Sequence, residues 1–332
     1  MLLSALRGQN TAVRTLERAL ARDRLPNAYL FDGPAGVGKQ RAAIGLALAR
    51  LCPRMPGKGC AACAVCTRVV AGNHPDVRVF GPRTEGNRNL QVETLRGEIL
   101  QFCQFAPFEA KHAFVIFPEA DVSFPEQHPV AANALLKTLE EPRPGICFVL
   151  LSERPERLLI TIRSRCQRVR FGPLPPLVLE HVLEQEGVPN AQWAAAIALA
   201  EGRADRAVAL AQEGLAANLV AQALRIDRTL ALRDAGRLVE LSEELAKASD
   251  LLMVLETLAA LYRDVAVSAL GMGEQVRFRE HRADIDARAK ELPPAAAAAR
   301  VARIAELPDL LGKNANPQIA LDNLLIELSQ IA

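Results

Sequence analysis

Ala28-Tyr-Leu-Phe-Asp-Gly-Pro-Ala-Gly-Val-Gly-Lys-Gln40 decides how this chain folds. Ala28 to Asp32 reads as a short strand, a glycine turn follows, and a helical pattern runs from about Val37 to Leu51. A glycine turn between strand and helix is the setting of a phosphate loop, matched here by Gly33, Gly38 and Lys39, with Gly36 inside the turn. Glycines let the backbone wrap close to an anion. Successive N–H groups face it, the helix N-terminus adds positive potential, and the lysine reaches the outer phosphates. The pattern then asks for Ser or Thr, whose hydroxyl holds Mg²⁺. Gln40 stands there instead, an amide on a longer stem and a poor substitute. A glycine turn kept for its shape alone is the competing reading.

Outward from this loop, short apolar runs alternate with helical patterns. Val77 to Phe80, His112 to Phe117, Ile146 to Leu151 and Gln167 to Phe171 read as strands. Val92 to Phe105 and Val130 to Glu141 read as helices, the latter with Val130, Ala134, Leu135 and Leu139 on one face. Such alternation implies an α/β domain with a mostly parallel sheet covered on both faces. A hydrolysing site ends one strand in adjacent acids that hold Mg²⁺ and polarise water. In Val115-Ile-Phe-Pro-Glu-Ala-Asp121 the strand end is Phe117-Pro118, and Glu119 and Asp121 come a step later. Gln40 and Phe117-Pro118 both argue against Mg²⁺ chemistry and so against ATP hydrolysis.

Gly172-Pro-Leu-Pro-Pro176 bars a continuous helix and marks a boundary. Beyond it strands vanish. Short helical patterns broken by Gly187-Val-Pro189 and Gly202 fill the stretch to about Ala211. From Leu215 the pattern is long and rich in Ala and Leu. Leu251, Leu255, Leu258 and Leu261/Tyr262 form one stripe, and Leu321, Leu324, Leu325 and Leu328 another. Pro293-Pro294 and Pro308 are expected to start or end helices there.

Cys60-Ala-Ala-Cys63-Ala-Val-Cys66 places three thiols at two-residue gaps, and Cys52 lies eight positions before Cys60 across a loop-forming stretch. Four thiolates on tight turns can close a tetrahedral site around Zn²⁺, in preference to remaining free thiols. A closed site has no open position and performs no chemistry. Cys103, Cys147 and Cys166 read as buried thiols.

Half of the 332 residues are apolar and 23% are charged, which suits a folded globular protein and excludes a disordered one. A formal net charge of +2 excludes a strongly basic nucleic-acid coat, so any DNA contact has to come from local patches. No apolar run reaches the ~18 residues of a membrane helix, and Met1 to Gln9 does not read as a secretory signal. A cytoplasmic protein is the expectation.

Asn133-Ala-Leu-Leu-Lys-Thr-Leu-Glu-Glu-Pro142, Phe148-Val-Leu-Leu-Ser152, Pro155-Glu-Arg-Leu-Leu159 and Ile162-Arg-Ser-Arg-Cys166 occur in that order. They resemble the conserved boxes of bacterial clamp-loader AAA+ subunits, as does the four-cysteine insertion after the loop helix. Asn314-Ala-Asn-Pro317 and the helix to Leu328 resemble the end of that family's oligomerisation collar. The resemblance runs from Leu6-Arg-Gly-Gln9 to Leu328. It implies an AAA+ P-loop parallel-sheet domain at 1–172 with a zinc module at about 52–66, a small helical lid domain at 173–210, and an all-α collar domain at 211–332. Within the family it points to the non-hydrolysing branch of DNA polymerase III, with an ATP-hydrolysing gamma/tau-like subunit as the alternative. Asp205 in Glu201-Gly-Arg-Ala-Asp-Arg206 fills the slot of the second-sensor arginine, and Ser152 fills the first-sensor position. The resemblance gives Arg165 the role of an arginine finger reaching a neighbour's ATP. Implied partners are gamma/tau and delta subunits, with the beta sliding clamp and primed DNA met through the complex. Zn²⁺ is the implied structural cofactor, and ATP or ADP at the degenerate loop is left open. A nucleic-acid-binding zinc module is a further alternative, which the few basic residues near it (Arg50, Arg54, Lys58, Arg68) disfavour.

Overall fold

The computed structural model describes residues 2–82, 90–126, 129–312 and 316–331. The chain forms two compact units, Met1–Val178 and Leu179–Ala332.

In the first unit β1 (Ala28–Asp32), β2 (Val77–Val79), β3 (Ala113–Phe117), β4 (Ile146–Ser152) and β5 (Gln167–Arg170) make one sheet. The order is β2-β3-β4-β1-β5 and every pairing is parallel. All residues of β1, β3 and β4 are buried, as continuous apolar runs require when helices cover both faces. From β1 the chain crosses to the β2 edge, and from β4 it crosses β1 to reach β5. Loops leaving β1 and β4 therefore diverge, opening the crevice at the carboxyl ends where ligands of open α/β sheets bind. The register pairs Asp32 with Ser152, so both strand ends meet at that crevice.

The helix Lys39–Leu51 is buried along nearly its whole length. Small residues make this possible: a Cβ on Gly45 would come within 3.1 Å of the Leu3 backbone. The helix expected from Val37 begins two residues later, because Gly38 adopts the left-handed conformation as its N-cap. The strand expected from His112 begins at Ala113, and the His112 ring instead receives the guanidinium of Arg50. The helix expected over 92–105 runs as Val92–Thr94, a π-helical Leu95–Leu100 and Gln101–Gln104.

In the second unit the described elements are helical. They include Trp193–Ala200, Ala204–Ala211, Leu215–Leu232, Ala235–Ala246, Leu251–Ala269, Arg282–Glu291, Pro294–Gly312 and Pro317–Gln330. Both leucine stripes are buried. Asp227 lies among them, accepting from Tyr262 Oη at 2.8 Å and Arg288 Nε at 3.1 Å. Arg300 donates to Tyr262 Oη and the Ile331 carbonyl, both at 2.8 Å. One expectation is corrected here. Pro294 starts a helix, but Pro308 lies inside it. Proline removes one helical hydrogen bond and crowds residue 304, yet Ile304 and Leu307 are both buried, and their packing holds the helix through that defect. Asn314 lies outside the described residues, and the last helix starts at Pro317 with the Asn316 side chain accepting from Gln318 N at 2.9 Å. Among the described residues no single helix is long and apolar enough to cross a membrane.

Candidate nucleotide site and metal centre

The glycine loop leaves β1 at the crevice. Gly33, Gly36 and Gly38 have φ of +147°, +63° and +98°, which side chains rarely adopt. Gly33 is also sterically fixed, since a Cβ there would lie 2.1 Å from the Phe171 carbonyl oxygen. Lys39 is buried and its ammonium donates to the carbonyls of Gly33 and Pro34, both at 2.5 Å. Gln9 anchors the loop from behind: its amide nitrogen donates to Gly172 O at 2.7 Å and Val37 O at 3.3 Å, and its oxygen accepts from Gly172 N at 3.1 Å. The backbone is thus shaped as an anion cradle.

What surrounds the cradle departs from a Mg²⁺ site. Gln40 is exposed on the first turn of the helix. Phe117 is buried at the end of β3 and packs edge-on against Phe124, with ring centroids 5.0 Å apart. Asp121 is buried, and its carboxylate accepts from Arg154 N at 3.0 Å, which fixes it as a brace for the loop after β4. Ser152 is buried at the end of β4, and its hydroxyl has no hydrogen-bond partner among the described residues. Asp32, just before the loop, receives both arms of Arg168 at 2.7 and 2.8 Å. That pair, linking β1 to β5, carries no motif signal in the sequence.

Arg165 follows the short helix Ile160–Arg163. Its guanidinium pairs with Glu140 and donates to Thr161 O at 2.8 Å. Both partners are about a third to a half exposed, so the pair is accessible from outside the unit. In the second unit Asp205 pairs with Arg203 at 3.0 Å, and Arg206 pairs with Glu256 at 2.6 Å.

Cys52, Cys60, Cys63 and Cys66 come together, with all four Sγ atoms within 4.8 Å of one another. Cys52 caps the end of the helix Lys39–Leu51, and Cys63 caps the start of Ala64–Val70. Cys52 Sγ lies 4.0 Å from Cys63 Sγ, and Cys60 Sγ lies 3.9 Å from Cys66 Sγ. These separations are far beyond a disulfide bond of ~2.05 Å. A tetrahedron with metal–sulfur bonds of about 2.3 Å has edges of about 3.8 Å, so the cluster is compatible with a metal ion and needs little contraction. Backbone N–H groups point at the sulfurs: Met55 N to Cys52, and Cys63 N to Cys60, both at 3.3 Å, and Cys66 N to Cys63 at 3.4 Å. Backbone hydrogen bonds from Ala62 and Cys63 pull the Cys60 thiol down to about 6, while burial pushes Cys66 up to about 12. Burial likewise pushes Cys103, Cys147 and Cys166 up to about 12, as unreactive thiols require. Cys166 is only partly buried. His74, the histidine nearest the cluster in sequence, accepts from Asp76 N at 3.1 Å.

Sheet and loop define a phosphate-loop α/β unit followed by a helical one. Residues 8–175 match the family described as DNA polymerase III, delta subunit, and the chain belongs to that family. It is 28% identical over 327 residues to DNA polymerase III subunit delta' of Bacillus subtilis (strain 168), covering 97% of this chain and 96% of that protein. Over 150 residues it is 37% identical to the subunit delta' of Pseudomonas aeruginosa, covering 45% of this chain and 44% of that protein. Over 165 residues it is 36% identical to subunit tau of Bacillus subtilis (strain 168), covering 49% of this chain and 28% of that protein. The chain therefore spans nearly the whole of the first relative and less than half of the other two.

Proposed function

We propose that this chain is the delta-prime-type, non-hydrolysing subunit of a bacterial DNA polymerase III clamp loader. With gamma/tau and delta subunits it would place the beta sliding clamp on primed DNA in the cytoplasm. The observation that carries this reading is the carboxyl end of β3. Where a hydrolysing site needs acids, this chain has buried Phe117 and then Pro118, and it commits Asp121 to Arg154 N. Gln40 removes the hydroxyl ligand from the other side of the same metal position. The glycine cradle and Lys39 suit a retained ATP or ADP phosphate held without turnover.

In this reading Arg165 acts in trans. Its exposed guanidinium reaches the ATP of a neighbouring gamma/tau subunit, where such a finger is worth ~10³–10⁵ in rate. Residues 173–210 serve as the lid and 211–332 as the collar that holds the oligomer. Cys52, Cys60, Cys63 and Cys66 hold one structural Zn²⁺. The soft thiolate set suits that ion, and the metal would fix the loop between two helices without touching nucleotide.

The test uses a reconstituted loader. Lys39→Ala in this chain is expected to leave ATP turnover and clamp loading near wild type. Arg165→Ala, in a fully assembled complex, is expected to slow DNA-stimulated hydrolysis at one neighbouring site. Arg165→Lys should not rescue it, because an ammonium lacks the planar fork of donors. Loss of most turnover with Lys39→Ala would instead establish an ATP-hydrolysing, gamma/tau-like subunit.

A further inference from the structure

The formal charge of +2 conceals a strong segregation. Residues 1–178 contain 24 Lys and Arg against 15 Asp and Glu, a formal +9, and residues 179–332 contain 16 against 23, a formal −7. Such asymmetry between the parts of a chain is a mark of a polyanion-binding surface. Within the first unit, the helix Asn10–Ala21 with its C-cap Arg22 lines up three arginines on one face.

That helix buries Ala12, Leu16 and Leu20. Its opposite face carries Arg14, Arg18 and Arg22, spaced i, i+4 and i+8, all exposed and none in an ion pair among the described residues. Arg14 donates only to the Asn10 carbonyl, at 3.4 Å. The acids nearby do little to offset them. Glu17 is the one acid in the helix, and Asp23 beyond it is engaged by Arg50. The helix Lys39–Leu51 and β5 both pack on this element, and neither contains an acidic residue. They add Arg41 and Arg170, both exposed and without an ion pair among the described residues. A helix C-terminus favours Arg18 and Arg22 through its dipole. That effect does not account for Arg14 or for the basic neighbours.

We propose that the exposed face of the helix Asn10–Ala21 binds the phosphate backbone of duplex DNA through Arg14, Arg18 and Arg22. Four residues of helix advance about 6 Å, so the stripe presents a row of guanidiniums, each able to fork onto one phosphate. The exposed helix face holds no aromatic residue on which bases could stack, which favours duplex over single-stranded DNA. The surface reads charge and not sequence. It does not depend on the clamp-loading reading, because the charge pattern alone carries it.

Fluorescence anisotropy of a labelled duplex with the full-length chain, over roughly 50–200 mM salt, tests this. Each phosphate contact contributes about −0.9 to the slope of log K against log salt, which at 50 mM is about tenfold in affinity. The triple variant Arg14→Ala/Arg18→Ala/Arg22→Ala is therefore expected to flatten the slope by about 2.7 and to weaken binding at least a hundredfold at low salt. The triple Lys variant should keep most of the slope. Arg14→Ala, away from the helix end, should by itself flatten it by about 0.9 and covers the case of a triple variant that fails to fold. An unchanged slope in folded variants overturns the proposal, as does a wild-type chain that ignores duplex at 50 mM salt. Self-association that the triple variant abolishes, with no DNA binding, would also overturn it and assign the stripe to the acidic unit of a second copy.

Discussion

Cys63→Ser tests how the cysteine cluster is built. Cys63 is the busiest of the four. Its sulfur sits 4.0 Å from Cys52 Sγ and accepts from Cys66 N at 3.4 Å, and its own N–H donates to Cys60 Sγ at 3.3 Å. A serine hydroxyl stays protonated near neutral pH, so the variant offers three thiolates to a metal that wants four. Structural zinc is worth about 10–16 kcal/mol in small metal-folded peptides, and losing one ligand forfeits a large part of that. Bound zinc should fall from about one ion per chain to a small fraction. The damage should stay local, because the preceding helix Lys39–Leu51 is held by burial and not by the metal. The helix Ala64–Val70 should itself hold, because a serine hydroxyl at its N-cap can still accept from Cys66 N. Elemental analysis of reduced protein measures the zinc, and limited proteolysis between Pro53 and Gly59 reports loosening. Zinc-free wild-type protein, kept reduced throughout, would refute the reasoning, and so would a Cys63→Ser chain that retains a full equivalent.

Glu140→Gln should release Arg165 from its own chain at little cost in stability, since an exposed pair is worth about 0–1 kcal/mol. In a reconstituted loader it is expected to raise DNA-independent ATP turnover several-fold at most, and a fall in turnover would mean that Glu140 aims the arginine instead. Gln40→Thr alone should not start ATP hydrolysis by the isolated chain, because Phe117-Pro118 still provides no acid; measurable turnover would count against the defective β3 end. Asp227→Ala should cost about 3–5 kcal/mol in urea unfolding, because it strips the carboxylate from buried Arg300 and half-buried Arg288, and a loss under 1 kcal/mol would show that water replaces it. Burial, then the nearby Arg68, holds His74 below the usual imidazole value, so the folded state keeps it neutral with its ring nitrogen accepting from Asp76 N. Its stabilising contribution is complete above pH ~6.5 and declines as pH falls below that value, which unfolding curves of His74→Gln against wild type between pH 7 and 5 should show as a flatter pH dependence.

The elements that carried their signal in periodicity were legible to within a residue or two. β1 falls at Ala28–Asp32 as read, and β4 extends the reading only by Ser152. Apolar runs buried on both faces leave little freedom in where a strand lies. Pro308 was misread because propensity is local, whereas Ile304 and Leu307 bury on either side of it and override the defect. The π-helical turn at Leu95–Leu100 has no composition signal and was invisible. The four cysteines were legible because their spacing alone nearly fixes their geometry.

Side-chain partnerships across the fold were the illegible part, and they decide what the crevice can do. Asp121 reads in sequence only as an acid that comes a step after the strand end, and the fold gives its carboxylate to Arg154 N. Asp32 reads as the last residue of a strand, but its pairing with Arg168 joins residues 136 positions apart. Charge behaves the same way. A sum over the chain averages opposite units, so +2 reports on solubility and says nothing of surfaces. Only once the fold divides the chain near residue 178, and packs the helix Asn10–Ala21 beside two elements without acids, does the basic face emerge. The proposed phosphate contacts at Arg14 and Arg18 lie where, among the described residues, the fold leaves a charge without an ion pair. Where it matches one, as at Asp121, the same residue type serves as a brace.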